Sequence, residues 1–335
     1  MQAQEAKKLT MDDVAKELGV SKTTVSRAVS GKGRIGEETR QRVLDYIAQH
    51  NYKPNVMAKG LANNRTYNIG MVLQADLLSS DLPFFPKALK GISEVAAKEE
   101  YDVIMTLVDM NDLSRLSRVI ENHKVDGLIL MRTLQDDKPA EMLKKSDIPF
   151  VTMGLSDDPH VCQVDNDHVD ACRELTSILL LKGLRKIAVI AGDMNHVINR
   201  KRLEGFYKAH EELGYTPDES LIFTDVDSEL FAARVTDTIL MRNVNCIIGA
   251  DDLLTSLVLK KLEEENIMIP EDMRLASFHD SQLLKSARAG ITAIKFNTEE
   301  LGRETCKVLL RRIRGEEVPQ VTKLSYEVAM RESTK

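Results

Sequence analysis

"GVSKTTVSRAVSGKG" (residues 19–33) decides how the rest of the chain is read. Together with Gly36, its Gly31 and Gly33 reproduce the G-x-G-x-x-G spacing of a dinucleotide fingerprint. That fingerprint works only where a strand runs into a glycine turn and then a helix, with an acid about 20 residues further on. Here the residues ahead of the glycines repeat with a helical period. At 100° per residue Val25, Ala28 and Val29 share one side, and Lys22, Thr23, Ser26 and Arg27 share the other. The glycines therefore follow a helix and end it. The outer face carries donors and hydroxyls and no acid, which suits phosphates and base edges. The phosphates this segment meets are expected to be those of DNA.

The flanks agree. Thr10 and Asp13 have the spacing of a capping box, with Asp in place of the usual Glu. The helix they start presents Val14, Ala15 and Leu18 on one face, and Gly19 stops it. Ser21 caps a second helix, Lys22 to about Ser30. A third, from about Glu37 to His50, shows Val43, Leu44, Tyr46 and Ile47 as its apolar residues. Two short helices joined by a Gly-containing turn, the second with a basic and hydroxylic outer face, describe a helix-turn-helix.

Charge is distributed accordingly. Residues 1–66 hold twelve Lys/Arg against seven Asp/Glu, net +5; the whole chain is −6, so residues 67–335 carry −11. A basic head on an acidic body fits a polyanion-binding head. With 335 residues, 43% hydrophobic and 29% charged, the chain has material for two or three domains with ample core. No apolar run nears the ~20 residues of a membrane span, and the first residues lack the apolar core of a signal peptide, so a cytoplasmic protein is expected. Cys162, Cys172, Cys246 and Cys306 are scattered, without C-x-x-C, and are read as reduced and semi-buried.

"NYKPNVMAKGLANNRT" (51–66) separates head from body. Pro54 breaks the chain, Asn55 is a cap, and Val56 to Ala62 spans two helical turns. A helix this short, with Gly60 inside it, is marginal alone and is expected to order only on a partner. The domains expected are thus a head at 1–54, a hinge helix and linker at 55–66 and a body at 67–335. From Tyr67 apolar runs such as NIGMVL, GLILM, KIAVIAG and CIIGA alternate with amphipathic helices, ending in a strand around Lys323–Met330. That alternation predicts α/β architecture with parallel sheets, covered by helices on both faces. About 260 residues exceed one open sheet, so two lobes with a cleft are expected, with ligands at the carboxyl ends of the strands.

Head, hinge and two-lobed body together resemble the LacI/GalR family of transcription regulators, from Leu9 to about Glu332. The carriers are residues 11–55, "AKGLANNRT" (58–66) and "VDGLIL" (125–130), supported by "RLEGF" (202–206) and "IPEDMRLASFHD" (269–280). Within the family "PFFPKALKGISEVA" and "QVDND" look most like regulators of maltose and related sugar operons. The resemblance implies a periplasmic-binding-protein-like body and a homodimer bound to double-stranded operator DNA, released by a small effector, a sugar of maltose-like chemistry. It implies that Lys22, Thr23 and Arg27 read base edges, and that Leu61 wedges into the minor groove. Thr10, Ser21, Thr24, Ser26 and Asn55 would hold phosphates, Thr10 and Ser21 doubling as caps. The effector positions implied are Phe84 or Phe85, Asp165, Arg202, Asp251, and His279 with Asp280. This set supplies carboxylate acceptors, an arginine donor and an aromatic face. The family commonly has Gly-aromatic-Asp where this chain has Ser277-Phe278-His279, with Asp280 next, which leaves open whether His279 or Asp280 meets the effector.

Other chemistry is thin. "DNDHVD" (165–170) lacks the glycine and terminal glutamate of a calcium loop. The histidines show no HExxH, and G-x-S-x-G is absent. No metal, no cofactor, no membrane partner and no enzymatic role are expected. The rival readings are a corepressor-dependent regulator, a sugar-binding protein without regulatory role, and a nucleotide-dependent enzyme.

Overall fold

Residues 9–31, 33–50, 60, 64–74 and 84–335 are described by a computed structural model, and they fall into two units, Met1–Thr66 and Tyr67–Lys335. In the first, α1 (Met11–Glu17), α2 (Lys22–Ser30) and α3 (Glu37–Gln49) enclose Val14, Ala15, Val25, Ala28 and Val43. The helix starts are where local chemistry puts them. Thr10 accepts from the Asp13 N–H while the Asp13 carboxylate accepts from the Thr10 N–H, a complete capping box. Ser21 Oγ accepts from the Thr24 N–H and begins α2. Gly31, at φ +68°, ends α2 in the left-handed region that glycine enters without a steric penalty.

The second unit is two parallel-sheet lobes. Lobe 1 holds β1 (Asn68–Gln74), β2 (Asp102–Val108), β3 (Gly127–Leu130), β4 (Phe150–Met153), β5 (Gln163–Asn166) and β11 (Val321–Leu324), in the order β11-β5-β4-β3-β1-β2. Lobe 2 holds β6 (Ile187–Ile190), β7 (Ile222–Phe223), β8 (Cys246–Gly249), β9 (Arg274–Ser277), β10 (Thr292–Phe296) and β12 (Tyr326–Ala329), in the order β12-β10-β9-β8-β6-β7. Strands β3, β4, β6 and β8 are buried along their whole length, as strands covered on both faces must be. Each sheet has one core per face. In lobe 1, α4 (Phe84–Lys98) and α12 (Thr298–Ile313) cover one face, α5 (Ser114–Glu121) and α6 (Lys138–Lys144) the other. In lobe 2, α7 (His168–Leu181) and α8 (Val197–Glu212) oppose α9 (Glu229–Leu240), α10 (Asp252–Glu264) and α11 (Gln282–Ser286).

Two details depart from expectation. The single terminal strand expected around Lys323–Met330 is two: β11 closes the sheet of lobe 1 and, one residue later, β12 joins lobe 2. β12 also pairs antiparallel with β10, so the second sheet is not purely parallel. The chain therefore passes between lobes three times: at Asp167 after β5, at Asn297 after β10, and at Ser325. All four cysteines are buried and free.

Candidate functional site

Two places gather the expected residues. The first is the outer face of α2. Lys22, Thr23, Ser26 and Arg27 are exposed there while Val25 and Ala28 are buried beneath. Lys22 Nζ lies 2.8 Å from the Asp12 carboxylate of α1, an acid that the one-helix view of this face had not included. With both side chains more than 60% exposed, that pair is worth little and gives way readily to a phosphate or a base. The Arg27 stem lies over the turn that follows: a Cβ on Gly33 would come within 3.2 Å of it, and Gly33 sits at φ +88°. Glycine there leaves Arg27 its path. Thr10 and Ser21 are the caps of α1 and α2, and Thr24 is half-buried beside Ser21, with 2.8 Å between their hydroxyls. Asn55 and Leu61 lie outside the described residues.

The second is the cleft between the lobes, a cavity of about 150 Å³. It opens at the carboxyl ends of the strands: Arg132 and Thr133 follow β3, Gly154 follows β4, Asp251 and Asp252 follow β8, and His279 follows β9. Asn166 and Phe296 end β5 and β10, at two of the three lobe crossings. Phe84, Phe85, Asp165, Arg202, Asp251 and His279 all line it.

Asp280 does not. Its carboxylate is held by the Arg331 guanidinium in two parallel hydrogen bonds, 2.8 and 2.6 Å, and takes no part in the lining. Of the 279–280 pair the structure brings only His279 to the cleft. His279 Nδ1–H donates to Asp252 Oδ1 at 3.1 Å. Burial pushes the Asp252 carboxyl up, but the His279 contact pulls it back and the net shift is downward, so it stays ionised.

Asp165 is buried, and its oxygens are already engaged. They accept from the backbone N–H of Asn166 and of Leu155 at 2.8 and 3.1 Å, and Oδ1 lies 3.3 Å from His168 Nε2. Its carboxylate seats His168, which the sequence reading had not singled out. Burial holds the His168 imidazole below its ordinary range, the Asp165 charge offsetting only part of that, so the ring is neutral. Asp251 Oδ1 caps α10 by accepting from the Leu254 N–H at 2.8 Å. Arg202, 7% exposed, makes a long hydrogen bond, 3.4 Å, to Asn199 Oδ1, and among the described residues no carboxylate lies within ion-pair distance of it.

The rings form a row. Phe84 stands edge-on to Phe85 at 5.3 Å and to His279 at 6.4 Å; His279 stacks on Phe296 at 6.0 Å, and Phe296 meets His168 at 4.5 Å. Such a row offers apolar faces beside a few convergent polar groups, the composition of a small-molecule site. Asn166, His168, Asn199, Asp252 and Phe296 went unread because each reaches the cleft through the fold. For Asn166, His168, Asp252 and Phe296 the one local signal was their position at a strand end or within three residues after it; Asn199 lies inside α8 and had none.

A profile of bacterial regulatory proteins of the lacI family matches residues 10–55, and one of periplasmic binding protein-like domains matches residues 176–334. The HTH-type transcriptional regulator MalR of Streptococcus pneumoniae is 32% identical over 303 residues, 85% of this chain and 92% of the relative. The chain belongs to the LacI family. Among solved structures, a transcriptional regulator CelR–cellobiose complex superposes with a TM-score of 0.74 at 27% identity, covering 97% of this chain and 99% of that one. A probable maltose operon transcriptional repressor from Staphylococcus aureus gives 0.74 at 27% identity over 81% of this chain and 99% of its own. Among the described residues of this LacI-family chain, no helix is long and apolar enough to cross a membrane. No group of three or more His, Cys, Asp or Glu among them is placed to hold a metal ion.

Proposed function

We propose that this LacI-family chain is a cytoplasmic, sequence-specific DNA-binding repressor of a carbohydrate-utilisation operon, released when a sugar enters the interlobe cleft. The observation that carries this is the joint presence of a basic, hydroxylic α2 face in one unit and an aromatic cleft with convergent polar groups in the other. Relatives described as a cellobiose complex and a maltose operon repressor support the effector class. The head comprises residues 1–54, the hinge 55–66 and the body 67–335. Lys22, Thr23 and Arg27 read base edges, and Thr10, Ser21, Thr24, Ser26 and Asn55 hold phosphates. Leu61 wedges the minor groove and bends the operator. The chain works as a homodimer, because one three-helix head reads only a short half-site and a two-fold protein matches a two-fold operator. Exposed Leu230 and Phe231 of α9, Leu253 of α10 and Leu283 of α11 give lobe 2 apolar surface for that contact.

Selection from random DNA followed by gel shift tests this reading. The expected outcome is a pseudo-palindromic site whose complex dissociates when the correct sugar is added. Arg27→Ala should cost about 1–3 kcal/mol in operator binding and relax one half-site position, without unfolding, since that side chain faces outward. Unchanged affinity and preference would show that α2 is not the reading helix. Leu61→Ala should reduce the bend angle; a bend equal to wild type would return Leu61 to the body.

A further inference from the structure

Lobe 1 has a second cavity, of about 510 Å³, at the end of its sheet remote from the cleft. It lies where α6 runs into β4 and where α12 turns toward β11, so it meets the amino ends of those strands. Three arginines crowd the carboxyl end of α12. Arg311 pairs with Glu316 at 3.1 Å, and Arg314 pairs with Glu99. Arg312, between them, lines the cavity and has no carboxylate within ion-pair distance among the described residues. Its Nε is enclosed without a partner, while Nη1 and Nη2 keep accessible surface and donate to no oxygen of those residues. The polar group beside it is the Cys162 thiol, a weak acceptor that burial pushes up and the Arg312 charge pulls only partly back.

The lining carries Lys144 and Arg312 against Asp147, Glu316 and Glu317, net −1. Lys144 is held by Asp158 at 2.7 Å and by Glu141, and Glu316 is held by Arg311. That leaves one cation, Arg312, and two exposed carboxylates, Asp147 and Glu317, without an ion pair among the described residues. Half-buried Ile148, Pro149 and Val318 stand beside them. We propose that this cavity binds a small zwitterion with an apolar body, an α-amino acid of the leucine type. Its carboxylate takes the Nη fork of Arg312, its ammonium meets Asp147 and Glu317, and its side chain covers Ile148, Pro149 and Val318. A guanidinium presents parallel N–H bonds that match a carboxylate. An anion alone is drawn to Arg312 but repelled by the two acids, and a cation alone leaves Arg312 unanswered. One molecule carrying both charges answers all three. The cavity shares no lining residue with the cleft, so this site is additional to the effector site.

Calorimetry on the full chain tests this with leucine, isoleucine and valine, each against its deamino acid and its decarboxylated amine (isocaproate and isoamylamine for leucine). The expected result is binding of at least one amino acid, with both of its analogues at least tenfold weaker. Arg312→Gln should lose tenfold or more, and Arg312→Lys, which keeps the charge without the fork, should fall between the two. Asp147→Asn combined with Glu317→Gln changes only exposed side chains, so the fold is kept. That variant should reverse the preference, binding the deamino acid at least as tightly as the amino acid. The inference is overturned if none of the three amino acids binds at ~10 mM, or if wild type takes the deamino acid as tightly as the amino acid. It is also overturned by wild-type affinity in a folded Arg312→Gln, by an unreversed preference in the double variant, or by loss of the amino acid in Arg202→Ala, which would place it in the cleft.

Discussion

Asp280 shows how a side chain is placed by a partner far away in the chain. Two hydrogen bonds from Arg331, 51 residues on, hold it with side-chain exposures of 11% and 17%. Asp280→Asn should therefore cost stability, on the order of 3 kcal/mol, because Arg331 is left partly buried without its anion. Effector affinity should change less than threefold. Denaturant unfolding and calorimetry on the same variant check both halves, and a tenfold loss of affinity with intact stability would put Asp280 back in the site. His168 makes a prediction about pH. Its folded pKa is depressed, so below the ordinary imidazole range the unfolded chain binds a proton that the folded chain refuses. The stability this residue contributes is present above about pH 6.5 and is lost as pH falls through the window beneath it. Wild type should destabilise more steeply from pH 7 to pH 5.5 than His168→Gln, and equal slopes would show the ring is not held neutral. Neither residue was legible alone. "SFHD" offered two adjacent candidates, and only the register of β9 and the reach of Arg331 separate them. His168 sat in a reading of "DNDHVD" as a failed calcium loop, and its role depends on Asp165 turning inward.

At the scale of elements the sequence was most informative where the determining contacts are local. Thr10 with Asp13 and Ser21 with Thr24 are three residues apart, so the starts of α1 and α2 could be read directly. Most body helices were likewise legible from their period, but α11 (Gln282–Ser286) was not read. The break between β11 and β12 was not, because no Gly or Pro marks Ser325 and both halves have strand-like composition. Only the competition between two sheet edges divides that run. Close packing of α4 on α12 was equally hidden. A Cβ on Gly302 would fall 2.2 Å from the Ala88 carbonyl oxygen, and one on Gly91 would meet the Glu299 carbonyl oxygen. Gly302→Ala should force these helices apart and destabilise the body by about 1–3 kcal/mol despite alanine's better helix propensity. A variant as stable as wild type in thermal unfolding would show that the two helices have room to separate.

At the scale of the molecule the lobes are tied at the mouth of the cleft. Arg200 of lobe 2 hydrogen-bonds Gln135 at 2.6 Å and pairs with Asp157, both on lobe 1, and the Gln135 N–H donates to the Asn195 carbonyl at 2.9 Å. These ties favour the closed arrangement, and a half-exposed ion pair of this kind is worth up to ~1 kcal/mol. Arg200→Ala should weaken effector binding by about two- to fivefold and shift operator release to higher sugar concentration by the same factor, since coupling between two ligands is reciprocal. A variant whose sugar affinity falls while its release curve stays put would break that linkage. The three lobe crossings also govern how the protein is born. The head is complete once residue 50 has been made, but lobe 1 lacks α12 and β11 until residues 298–324 emerge. At 5–20 residues per second, β5 waits on the order of 10–30 seconds for its neighbour β11. During that interval a nascent chain carries a finished DNA-binding head and, in its body, a sheet whose strand β5 still lacks its neighbour.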